Sequence, residues 1–122
     1  MTANRTLRDL EVKRFRKTAS TITAQIHVPH DCRYFDGHFP DHPILPGVAQ
    51  FALITRLLEH AIGAGTRITR FRRAKFTSPV GPDATLTARI ELSPETNRGS
   101  WNLATSRSEV SSGDFEWTAG VG

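Results

Sequence analysis

The chain has 122 residues, of which 38% are hydrophobic and 23% charged, and its net charge is +4. This length supplies one hydrophobic core with little room for a second, and the composition is that of an ordinary globular domain, which excludes a disordered chain. No apolar run approaches the ~20 residues needed to cross a bilayer, and a charge this mild does not by itself argue for nucleic acid.

The opening dozen residues are polar and charged, without the apolar stretch of a secretory leader. Residues from Leu10 to Phe15 are mixed and read as a first strand, and the basic run Lys13 to Lys17 reads as its solvated face. Ile22, Ala24, Ile26 and Val28 then alternate with polar neighbours, the period of a half-buried strand. Pro29 ends it. Cys32 is the single cysteine and has no internal partner, so a reducing compartment, the cytoplasm, is expected. From His30 to Pro46 the chain carries three prolines and no period. Irregular stretches of that length are usually functional.

A helix is expected after Pro46. Val48, Phe51, Ala52, Leu58 and Ile62 are read as one face, with Leu57 and Ala61 widening it, and Gly63 and Gly65 as its end. Ile68 to Phe76 reads as a strand, Pro79 to Asp83 as a turn, and Ala84 to Leu92 as a second cleanly alternating strand. Ser93 to Gly99 reads as a turn, Trp101 and Leu103 open another strand, Ser111 to Asp114 is read as a turn, and Phe115 to Val121 as the closing strand. One mostly buried helix with several antiparallel strands predicts an α+β domain spanning residues 1–122, its sheet curled around the helix. Two such sheets joined at their edges would cover exposed edge strands, so a dimer is expected.

The informative segment is Tyr34 to Val48, which contains Gly37-His38-Phe39-Pro40 and Pro46-Gly47-Val48. It places the imidazole of His38 on a loop stiffened by glycine and proline, directly before a helix N-terminus. A histidine can take up a proton near neutral pH. A helix start offers free backbone N–H groups and the positive end of its dipole, which suit a developing oxyanion. Removing a proton beside a thioester carbonyl needs both. The set Cys32, His38 and His42 lacks a compact zinc-type ligand pair, so no metal is expected. Cys32 reads as an inert thiol.

This segment resembles the signature G-H-F-P-x-x-P-x-x-P-G-V of the 3-hydroxyacyl-acyl-carrier-protein dehydratases, and the likeness runs from about Ile22 to Val121. The run Ile44 to Gln50 is similar to the small dehydratases of aryl polyene biosynthesis. The resemblance implies a hot-dog fold and the elimination of water from a (3R)-3-hydroxyacyl thioester, in fatty acid, polyketide or aryl polyene synthesis, with no metal or organic cofactor. It implies that His38 removes the α-proton and that the Gly47 N–H holds the thioester carbonyl. Phe39, Pro46, Val48 and Phe51 would line the acyl site. The acyl-phosphopantetheine substrate would arrive on an acidic acyl carrier protein, for which Arg70, Arg72, Arg73 and Lys75 offer a basic docking rim or a plain solvated face.

One residue departs from the pattern. The family carries an acid on the helix fourteen positions after the histidine, and here that position is Ala52. Loss of a general acid costs roughly 10²–10⁴-fold in rate. Glu59, Arg56, Gln50 and Asp36 are poor replacements by reach or chemistry. Sites of this family form between two protomers, so a heterodimer with an acid-bearing hot-dog paralogue would restore the pair. The alternatives are a non-catalytic hot-dog subunit that binds acyl thioesters or supports a partner, and a thioesterase on the same fold. Neither nucleic acid nor membrane is an expected partner.

Overall fold

The computed structural model describes residues 8–35 and 44–120. In chain order these form β1 (Glu11–Lys17), β2 (Thr21–His27), a 3₁₀ turn (Arg33–Phe35), α1 (Gly47–Ile62), β3 (Arg67–Phe76), β4 (Thr85–Ser93), β5 (Arg98–Ala104) and β6 (Glu109–Thr118). The strands make one antiparallel sheet in the order β1-β2-β4-β5-β6-β3, with α1 as the central helix of a hot-dog fold. Among the described residues no helix is long and apolar enough to cross a membrane.

Alternation builds the inner face. Ile22, Ala24 and Ile26 of β2 stand opposite Ile90, Ala88 and Leu86 of β4, and all six are buried. Trp101 and Leu103 continue this layer on β5, and Val110, Phe115 and Trp117 on β6. Their polar neighbours point outward. Pro46 caps α1 in an extended conformation without a side-chain cap bond, and the Gly63 N–H closes the other end by donating to the Glu59 carbonyl. Lys17 also serves that end, donating from Nζ to the Ala61 carbonyl at 2.7 Å. A cation there complements the helix dipole, so part of the first basic cluster does more than face solvent.

Three sequence expectations need correction. The first strand runs to Lys17, two residues beyond Phe15, with a bulge between Lys13 and Arg16. The buried arc of the helix overlaps the expected one only at Leu57, Leu58 and Ala61: Ala49, Gln50, Leu53 and Ile54 also face the core. Val48 is 71% exposed and Ala52 is exposed as well. At about 100° per residue, Val48 and Ala52 lie on the same outward arc as Arg56 and Glu59. Apolar residues occur on both sides of this helix, so their spacing alone does not fix which of them turn to the sheet.

Residues 111–114 are not a turn but the middle of β6, and the chain reverses at 105–108 instead. Turn-like composition has other causes here. Ser111 is fully buried and accepts a hydrogen bond from the Trp101 indole N–H at 3.2 Å. Gly113 lies opposite Trp101, where an added Cβ would overlap the ring. Its lack of a side chain answers a close approach, not a bend.

Gly113→Ala should therefore lower stability by about 1–3 kcal/mol through overpacking, read as a shift of the urea midpoint with an unchanged slope.

Candidate active site

The segment entering the helix is tied down before the helix begins. The Leu45 side chain is buried, and its N–H donates to the Val80 carbonyl at 2.8 Å, joining this segment to the turn after β3. Pro46 follows, then the first turn of α1. The N–H groups of Ala49 and Gln50 both point to the Pro46 carbonyl, at 3.0 and 3.3 Å. Those of Gly47 and Val48 have no acceptor among the described residues. Such orphan donors at a helix start are suited to a carbonyl or anion.

A cavity of about 310 Å³ opens beside this turn, walled by Leu45, Pro46, Gly47 and Gln50 on one side and by Phe76 and Thr77 on the other. Phe76 closes the last position of β3 and lies directly over Gly47. An added Cβ at Gly47 would stand 3.1 Å from the ring, tighter than ordinary contact. The glycine therefore lets the aromatic wall approach the helix start. Phe76 is itself 49% exposed, and with Val48 it is one of two large exposed apolar side chains among the described residues.

Gln50 is the polar residue of this cavity that stands deepest. It is 4% exposed, and its Oε1 has no hydrogen-bond partner among the described residues. A buried acceptor left in that state costs about 1–3 kcal/mol relative to a paired one.

The expected site residues are only partly brought together. His38 and Phe39 lie outside the described residues, as does His42 of the weighed metal set. Gly47 and Pro46 both wall the cavity. Val48 points outward and Phe51 is not among the lining residues; its ring stacks on Phe71 at 4.1 Å and meets Phe76 and Trp101 edge-on. That aromatic cluster fills the space between α1 and the β3 side of the sheet. Phe76 was not singled out in the sequence, because its meeting with Gly47 joins positions distant along the chain.

The basic group on β3 is split. Arg72 pairs with Glu116 at 3.3 Å and Arg73 with Asp114 at 3.7 Å, whereas Arg70 and Lys75 make no ion pair among the described residues. Arg72 and Arg73 border a basin of about 600 Å³ on the outer face of the sheet, with Arg89, Arg98, Glu91 and Asp114 among its other charges. Most of its charge is internally balanced, Arg89 pairing with Glu91 at 3.1 Å. The helix start carries the directed, unpaired donors that this larger basin lacks.

Cys32 is buried, and desolvation pushes its thiol above the usual cysteine range. Among the described residues no cluster of His, Cys, Asp and Glu is gathered for a metal.

Comparisons with known proteins bear on the same residues. The family model described as ApeI-like, ApeI dehydratase, matches residues 14–114. The 3-hydroxyacyl-[acyl-carrier-protein] dehydratase FabZ of Fusobacterium nucleatum is 37% identical over 76 residues, covering 57% of this chain and 53% of that protein. The FabZ of Polynucleobacter asymbioticus is 40% identical over 80 residues, covering 58% and 54% respectively. The chain thus spans about half the length of the curated relatives it matches. The dehydratase heterocomplex ApeI:P from Xenorhabdus doucetiae superposes with a TM-score of 0.82 at 22% identity, covering 90% of this chain and 98% of that one, which establishes the likeness of fold.

Alkylation of Cys32 by iodoacetamide at pH 8 should be at least ten-fold slower in the folded chain than in urea, as a protonated, enclosed thiol requires; mass spectrometry of timed samples reads it.

Proposed function

Since the chain belongs to the ApeI-like dehydratase family, we propose that it acts as one subunit of a (3R)-3-hydroxyacyl-acyl-carrier-protein dehydratase. The observation that carries this reading is the uncapped start of α1. Gly47 and Val48 present N–H groups with no acceptor among the described residues, and Gly47 walls a cavity of substrate scale. A thioester carbonyl placed there would gain negative charge as the α-proton leaves, and fixed backbone donors stabilise that charge without reorganisation.

His38, carried at the histidine position of the family signature, takes the proton from C2. The electron pair forms the C2–C3 double bond, the C3–O bond breaks, and the oxygen leaves as water after receiving a proton. The products are a trans-2-enoyl thioester and water, and the balance calls for no metal or organic cofactor. Pro46 and the ring of Phe76 wall the acyl group, with Phe39 from the signature segment. Val48 and Phe51 have a different part: Val48 is free to meet a second chain, and Phe51 holds the aromatic wall in place.

The proton for the leaving oxygen is the missing element. Ala52 offers none, and no carboxylate lines the cavity among the described residues. A second hot-dog chain would supply it from its own helix. Two features support such a partner. β3 is an edge of the sheet with unpaired backbone groups, the kind of edge proteins cover. The exposed Val48 and Phe76 stand close to it at the helix start. The Xenorhabdus doucetiae relative is a heterocomplex, and the same arrangement here joins His38 to a partner's acid. The acyl chain arrives on phosphopantetheine, and Arg70 and Lys75 are the rim cations left to steer an acidic carrier protein. The cytoplasm, where carrier-bound synthesis takes place, is the proposed location.

The exposed, acid-free position 52 also favours a second reading, in which this chain binds the thioester and leaves chemistry to its partner. One experiment separates the two. Mixed with an acid-bearing hot-dog partner, the chain should form enoyl thioester from a hydroxyacyl thioester, and His38→Ala here should abolish it. The chain alone should be slower by roughly 10²–10⁴-fold, as loss of a general acid dictates. Turnover that survives His38→Ala in the mixture assigns the chemistry to the partner, and full turnover by the chain alone defeats the paired-site proposal.

A further inference from the structure

Building on that reading of the cavity, we infer that Gln50 is its specificity residue: the buried Oε1 accepts a hydrogen bond from the 3-hydroxyl of the bound acyl thioester. Three observations lead there. Gln50 is buried, yet its acceptor has no partner among the described residues. It lines the same cavity as Gly47. It stands three residues further along α1, on the neighbouring turn of the same side, about 4.5 Å along the axis at 1.5 Å per residue.

The direction of the ligand selects the donor. A phosphopantetheine arm must run outward, because the carrier protein is far larger than the cavity. Pro46 and Gly47 are half-buried and Gln50 is almost completely enclosed, so depth increases along the helix. With the thioester carbonyl at the Gly47 and Val48 amides, the part of the ligand lying deeper is the acyl chain. Its first hydrogen-bond donor is the hydroxyl on C3, two carbons from the carbonyl. A saturated acyl chain has no donor to offer, and neither does the enoyl product. An acceptor at this depth therefore favours the hydroxylated substrate over both.

The role differs from that of the missing acid. A carboxamide cannot transfer the proton that the leaving oxygen needs; it can hold the hydroxyl so that the C3–O bond is oriented for elimination. It is useful whether or not this chain performs the chemistry.

The test is binding to the full chain carrying His38→Ala, so that ligand does not turn over. (3R)-3-hydroxybutyryl-pantetheine and butyryl-pantetheine are compared by calorimetry. The hydroxylated ligand should bind roughly 3- to 10-fold more tightly, the range of one neutral hydrogen bond. Adding Gln50→Leu, which roughly keeps the volume and removes the acceptor, should bring the ratio to about one. Gln50→Glu retains an acceptor and should keep the preference. Equal affinities in the Gln50 chain, or a preference that survives Gln50→Leu, overturn the inference while leaving the thioester site standing. Failure of both ligands to bind overturns the thioester site and this inference together. If Gln50→Leu does not fold, the ratio in the Gln50 chain and in Gln50→Glu decides.

Discussion

A sheet with one apolar face and a helix with one apolar arc must cover each other, and in this chain nearly everything else follows from how they do so. Leu53, Ile54, Leu57 and Leu58 press against the layer formed by Ile22, Ile26, Leu86, Ile90, Leu103 and Phe115, all buried. Burying such side chains contributes about 1.5–3 kcal/mol each relative to exposure, so the rotation of the helix is strongly determined. That rotation leaves Ala49 and Gln50 inward and Val48 and Ala52 outward. It also brings the first turn of α1 to the end of β3, where Phe76 lies over Gly47. The position of the open N–H groups is thus a consequence of core packing several residues away.

The same placement explains why the helix side of the cavity offers open backbone donors while Phe76 stands on the other side. Backbone amides at the start of a helix have no partners within it. Here the proline cap supplies no side chain to satisfy them. Phe76, backed by Phe51, Phe71 and Trp101 in edge-on and stacked contacts, forms a half-exposed aromatic part of the opposite wall. In the proposed reading, an aromatic wall beside a fixed pair of donors serves binding and orientation alike.

Much of this was readable before any coordinates. The alternation of Ile22 to Val28 and of Ala84 to Leu92 marked two neighbouring interior strands of the sheet, because each is buried on one face only. Pro46-Gly47 and Gly63 marked the helix ends, because they concern local backbone geometry. The resemblance identified the family from a compact motif. What was not legible depended on long-range packing. The helix face was legible only at Leu57, Leu58 and Ala61, because apolar residues occur on both sides of the helix and only contact with the sheet decides between them. The stretch 111–114 looked like a turn because the reason for its small residues, the Trp101 ring, lies on the neighbouring strand. The approach of Phe76 to Gly47 had no signal, since the two meet only when the strand and the helix are both in place. Nor could the pairing of Arg72 with Glu116 and of Arg73 with Asp114 be seen in the charge run alone.

Phe76 ends an edge strand and at the same time forms a wall of the cavity. A bulge between Arg72 and Lys75, with Arg73 at a φ of 53°, immediately precedes it. A substitution along this stretch that shifts the end of β3 would carry the ring over the helix start with it. If a second chain covers that edge, as proposed, the surface that meets it and the surface that shapes the pocket are one continuous unit. In a lineage of such chains, a change of assembly and a change of ligand would tend to arise from the same mutations.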